Sequence, residues 1–141
     1  MYKNILLVLS GKKKEDIVVI EKAKSLSQAF GSSVGIAKVE ENSEKMYERI
    51  LDVSAKKDIE IIHGDVDKYN DEFNFNFVFY SNVIADSAVE GINNIISKRE
   101  IDLILIAYEH GVLRSIFSKE DVVDKEFINN LKIDILVVPI V

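Results

Sequence analysis

Three consecutive ammonium groups, Lys12, Lys13 and Lys14, follow the apolar run Ile5 to Leu9 and the pair Ser10–Gly11. Just past the carboxyl end of a strand, such a knot could hold an anionic ligand, such as a nucleotide bound in an unusual manner, because ligands of open α/β sheets bind at that edge. Charge runs usually face solvent, so a solvated loop is the plainer reading. His63 and His110 are the two histidines, and no further ligand at a metal-binding spacing accompanies either. We therefore expect no metal site, and we read His110 as structural. Cys is absent, which removes disulfides and thiolate ligation. No Ser, His and Asp pattern offers an evident nucleophile, so no catalytic residue is assigned. Phe73, Phe75, Phe77 and Phe79 could form a stacking platform or a partner surface. A stacking platform needs basic neighbours, and none lies between Phe73 and Asn82, so packing against a helix is the better reading.

These residues must be carried by regular elements. Ile5 to Leu9 has no alternation, the mark of a strand buried on both faces. Ile17, Ile20, Ala23, Leu26 and Phe30 recur at helical spacing, and Gly31 follows as a helix-ending glycine. Val34 to Val39 is a second strand, and Met46, Tyr47, Ile50 and Val53 describe a second helix from Ser43. Ile59 to Ile62 is a short strand or a frayed helix end, and His63 to Glu72 is polar enough for a loop. The alternation from Phe73 to Tyr80 predicts a strand at a sheet edge, one face buried. Ser87 with Glu90 is a capping box for a helix through Val89, Ile92 and Ile96 to Lys98 and Arg99. Ile101 to Ala107 is a buried strand. Ser118 opens a helix with Glu120 and Asp121 in its first turn and Val123, Phe127 and Leu131 as its stripe. Ile133 to Ile140 is the final strand. Alternating strands and helices predict one α/β domain over 1–141, with five parallel strands and four helices.

With 141 residues, the chain fits one domain that buries its own core. A net charge of −6 argues against nucleic acid, whose phosphates need a basic face. No apolar run approaches the roughly 20 residues of a membrane span. The Ile5–Leu9 stretch is too short for a signal segment, and a cytoplasmic protein is expected.

Taken in order, these segments resemble the universal stress protein family. Tyr2-Lys3-Asn4-Ile5-Leu6-Leu7-Val8 is similar to its opening strand, Glu90 to Ala107 to its helix leading into the fourth strand, and Ile135-Leu136-Val137-Val138 to its final strand. The resemblance implies a Rossmann-like α/β fold: a five-stranded parallel sheet with helices on both faces, in three layers. It also implies a homodimer that pairs the last strand with its twin, here through Ile133, Ile135, Val137 and Pro139.

The family's nucleotide binders carry a glycine, two residues, a glycine, nine residues, then a glycine and Ser or Thr. That loop cradles ATP phosphates on backbone N–H groups. In this register only Gly111 remains. Tyr108 takes the first glycine position, and Asp121 and Val122 take the last two. Tyr108 blocks close backbone approach, Val122 lacks a hydroxyl, and Asp121 repels phosphate. Asp121 either satisfies the helix N-terminus itself or is an acidic first-turn residue facing water. The Asp-to-Gly-Ser pattern expected after the first strand is replaced by Ser10, Gly11 and Lys12. The implied function is a regulatory or interaction domain that does not bind ATP in the usual mode, takes no cofactor and is not an enzyme. One alternative keeps ATP or another adenine nucleotide, hydrolysed slowly, on Gly111, the lysines and a pocket near Val39. Another is the regulatory domain of a membrane transporter.

Overall fold

Apolar runs without alternation become the middle of a parallel sheet. The computed structural model describes residues 2–9, 11–41, 60–85, 88–109, 112–113, 131 and 133–140. β1 is Asn4–Leu9, β2 Ser33–Glu41, β3 Glu60–His63, β4 Tyr80–Ala85, β5 Leu103–Glu109, β6 Val112–Leu113 and β7 Asp134–Pro139. The helices are α1 (Lys13–Phe30), α2 (Val66–Phe73) and α3 (Ala88–Arg99). β4, β2, β1, β5 and β7 are neighbours in that order and all parallel. Ile5 stands opposite Val34 on one side and Leu103 on the other. The five-stranded parallel sheet is therefore as the sequence predicts. β3 and β6 are antiparallel additions, to β4 and β5 respectively.

β1 feeds both faces, as an unalternated run must. Leu6 and Val8 join Ile104, Ile106 and the α3 residues Ile92 and Ile95. Ile5, Leu7 and Leu9 join Val19, Ile20 and Ala23 of α1. Each such Leu or Ile, fully withdrawn from water, contributes about 1.5–3 kcal/mol. Helices on opposite faces give three layers. α1 ends on Gly31, whose φ of 68° is left-handed and whose N–H donates to the Ser27 carbonyl. The start of β1 is tied to the turn before β5, where the Asp102 carboxylate accepts from Lys3 N (2.8 Å) and Asn4 N (3.1 Å).

The chain departs from expectation in three places. Residues 66–72, predicted as loop, form α2 together with Phe73, predicted as the start of a strand. Asp65 caps it by accepting from Asp67 N at 3.0 Å, and Val66, Tyr69 and Phe73 pack on the core of the α1 face. That spacing of three and four residues is helical, but polar neighbours hide it. The Phe73–Tyr80 alternation is not an edge strand. After α2 the chain bends, with Phe75 N donating to Asn70 O (3.2 Å) and Phe77 N to Asn70 Oδ1 (2.7 Å). Phe77 then enters the core on the α1 face and Phe79 the core on the α3 face, which residues two apart in one strand cannot do. β4 begins only at Tyr80, and it is internal because β3 covers its outer side. Third, Lys13 and Lys14 are not loop but the first turn of α1, with Lys12 at the cap position. The predicted helices after Ser43 and Ser118, and the Ser87 cap, lie outside the described residues. No described helix is long and apolar enough to cross a membrane.

Candidate functional site

The carboxyl ends of β1 and β2, the N-terminus of α1 and one side of α2 enclose a cleft of about 370 Å³. β1 stops at Leu9, and the chain turns through Gly11, where φ is 86°, a value strained for any residue with a Cβ. The Gly11 N–H donates to Asp16 Oδ2 at 3.1 Å. Asp16 and Glu15 are both buried in the first turn of α1. A carboxylate there offsets the positive end of the helix and takes an amide that would otherwise face a ligand. Lys38 stands opposite Leu9 in the β1–β2 register. Its ammonium lies over Gly11, 3.0 Å from where a Cβ would stand.

The opposite wall is aromatic. Tyr69 of α2 meets Tyr80 of β4 at 4.9 Å between ring centroids, and Phe73 stacks behind Tyr69 at 6.3 Å. Tyr80 donates to Asn82 Oδ1 at 3.0 Å, which fixes its ring along β4. The ring rests on Gly64, whose N–H donates to the Tyr80 carbonyl. Burial, followed by the neighbouring Tyr80, pushes the Tyr69 phenol up to about 12, so it is a hydrogen-bond donor at neutral pH. α2 is held to α1 by Lys13 Nζ on Glu72 (3.2 Å) and by Lys24 Nζ on the Phe73 carbonyl (3.1 Å).

Of the residues singled out in the sequence, Gly11 and Lys12 come together at the start of α1, and Lys13 reaches the cleft. Val39 lies on β2 opposite Val83, and Tyr108 on β5 opposite Pro139. Ile135, Val137 and Pro139 lie in β7, with Ile133 just before it. Among the described residues, β7 pairs only with β5. Ser10, His110, Gly111, Asp121 and Val122 lie outside the described residues. The sequence reading missed Lys38, Asp16, Tyr69 and Tyr80. A lysine inside a run of strand formers and the Tyr69–Phe73 spacing were the available signals. Among the described residues no group of three or more His, Asp or Glu side chains is placed to hold a metal ion.

A solved universal stress protein in complex with cAMP matches the chain with a TM-score of 0.60 over 97% of this chain and 96% of that one. This is the universal stress protein fold. Sequence identity across that match is 13%, so the likeness is one of architecture. No protein-family model matches the chain, and no curated protein does. The universal stress protein fold accounts for the parallel sheet and its order.

Proposed function

We propose that this chain is a universal stress protein-like regulatory or interaction domain, acting in the cytoplasm by binding rather than by hydrolysis. It does not take ATP in the mode usual for that family. The observation that carries this reading lies at the end of β1. There the Asp16 carboxylate holds the Gly11 amide. A polyphosphate arriving at that edge meets a carboxylate where it needs free N–H groups. The substitutions Tyr108, Asp121 and Val122 in the expected phosphate loop point the same way.

Thermal denaturation with ATP, ADP and cAMP at millimolar concentration tests it. A nucleotide present at a hundredfold excess over its Kd would add about 2.7 kcal/mol, a rise on the order of 5–10 °C. We expect no rise with ATP, and a saturable one would overturn the proposal. The second reading, an adenine-nucleotide binder with slow hydrolysis, is favoured by the cAMP held by the matching structure. It expects the opposite result.

We further propose a homodimer formed by the outer edge of β7, using Ile133, Ile135, Val137 and Pro139. A strand edge with unpaired N–H and C=O groups is a template for a second chain. Light scattering should return twice the chain mass of 16.0 kDa, and a monomer at micromolar concentration would rule this out.

A further inference from the structure

Lys38 poses a problem that the regulatory reading does not solve. It is half-buried on β2, and its ammonium has no carboxylate partner among the described residues. An ammonium with no carboxylate within ion-pair distance is available to an anion that a ligand brings. The three carboxylates of the same cleft are committed elsewhere: Asp16 to the Gly11 amide, Asp65 to the α2 cap and Glu72 to Lys13. Lys68, exposed on α2, likewise has no acidic partner among the described residues. Among the described residues, the cleft thus offers two cations without an ion-pair partner, and the protonated phenol of Tyr69. The rings of Tyr69, Phe73 and Tyr80 line the same cleft. Gly11 matters here because a side chain there would crowd the Lys38 ammonium.

We infer that this cleft binds a small aromatic anion, a planar ring bearing a carboxylate or a phosphate. The ring lies against Tyr69 and Tyr80, and the anion meets Lys38 and Lys68. Charge-assisted hydrogen bonds from ammonium groups are among the stronger polar contacts, and tyrosine faces suit a flat ring. A volume of about 370 Å³ is near the lower end of small-molecule clefts, which favours a single-ring compound. The site goes beyond the function proposed above. It lies on the β2–β4 side of β1, whereas Tyr108 is on β5, across β1.

Titration of isotope-labelled full chain with benzoate and, separately, phenyl phosphate, followed by amide NMR, tests the inference. Saturable shifts are expected at Gly11, Lys38, Tyr69 and Tyr80 with at least one probe, and the tighter of the two identifies the anionic group. Inorganic phosphate should bind at least about tenfold more weakly, since it cannot use the ring wall. Lys38→Met should weaken the better probe by about tenfold or more. Lys68→Met alters an exposed side chain and leaves the fold intact, and it should weaken binding several-fold. Absence of saturable shifts from both probes up to about 10 mM would overturn the inference. So would shifts centred on β5, or affinity unchanged in both lysine variants. Failure of ATP to bind leaves this site untouched, so the two proposals fail separately.

Discussion

Replacing Gly64 with Ala should destabilise the fold by about 1–3 kcal/mol while Tyr80 is present, and should do the reverse once Tyr80 is gone. Gly64 joins β3 to α2. A Cβ added there would stand 1.8 Å from Tyr80 Cδ1 and 2.2 Å from Cε1, far inside contact distance. The ring must therefore turn. Turning it forfeits the hydrogen bond to Asn82 (3.0 Å), worth about 1 kcal/mol, and the packing on Tyr69 (4.9 Å). Because Tyr80 is only half-buried, the ring can swing toward water, which keeps the cost below that of overpacking a closed core. The backbone itself does not require glycine. Positive φ among the described glycines occurs at Gly11 and Gly31, not at Gly64. In a Tyr80→Ala background the new methyl has room, and the lower entropy of the unfolded chain should stabilise by about 0.4–1 kcal/mol. The coupling between the two positions is then at least about 1.4 kcal/mol. Urea titrations of the wild type, both single variants and the double variant, compared at a common m value, give this number directly. If Gly64→Ala costs the same in both backgrounds to within about 0.5 kcal/mol, the steric reasoning is wrong.

Two further outcomes follow from the same structure. Tyr69 should be the last of the described tyrosines to ionise, near pH 12, in a titration read by phenolate absorbance. A folded pKa above the unfolded value favours the protonated folded state, so the stability it contributes is intact below pH 10 and is lost as pH rises through 12. Phenolate absorbance developing uniformly near pH 10 in the folded protein would contradict that. Gly31→Ala should cost about 1–2 kcal/mol through backbone strain alone, since nothing lies within 4 Å of the added Cβ, and Gly31→Asn should cost less. Thermal melts that rank Asn below Ala would oppose this account.

The sequence by itself determined the parallel sheet, because burial on both faces demands unbroken apolar runs. Ile5 to Leu9 and Ile101 to Ala107 could be read as central strands without coordinates. It also determined α1 and its stop, since helical spacing and a helix-ending glycine are local signals. What happened between 60 and 80 was decided by tertiary structure. The Phe73–Tyr80 alternation is a strand pattern, yet Asn70 captures the amides of Phe75 and Phe77 and bends the chain. Phe77 and Phe79 can then fill cores on opposite faces, a long-range gain that outweighs local strand preference. The cleft was illegible for a related reason. Lys38, Tyr69 and Tyr80 sit on three different elements, and no spacing along the chain records that a strand end, a helix face and a glycine corner meet. The lysine run after β1, conspicuous in the sequence, sends one side chain to the cleft, where Lys13 pairs with Glu72. Lys38 comes from the middle of a strand, and only the packing of α2 against β4 makes it part of a cleft wall.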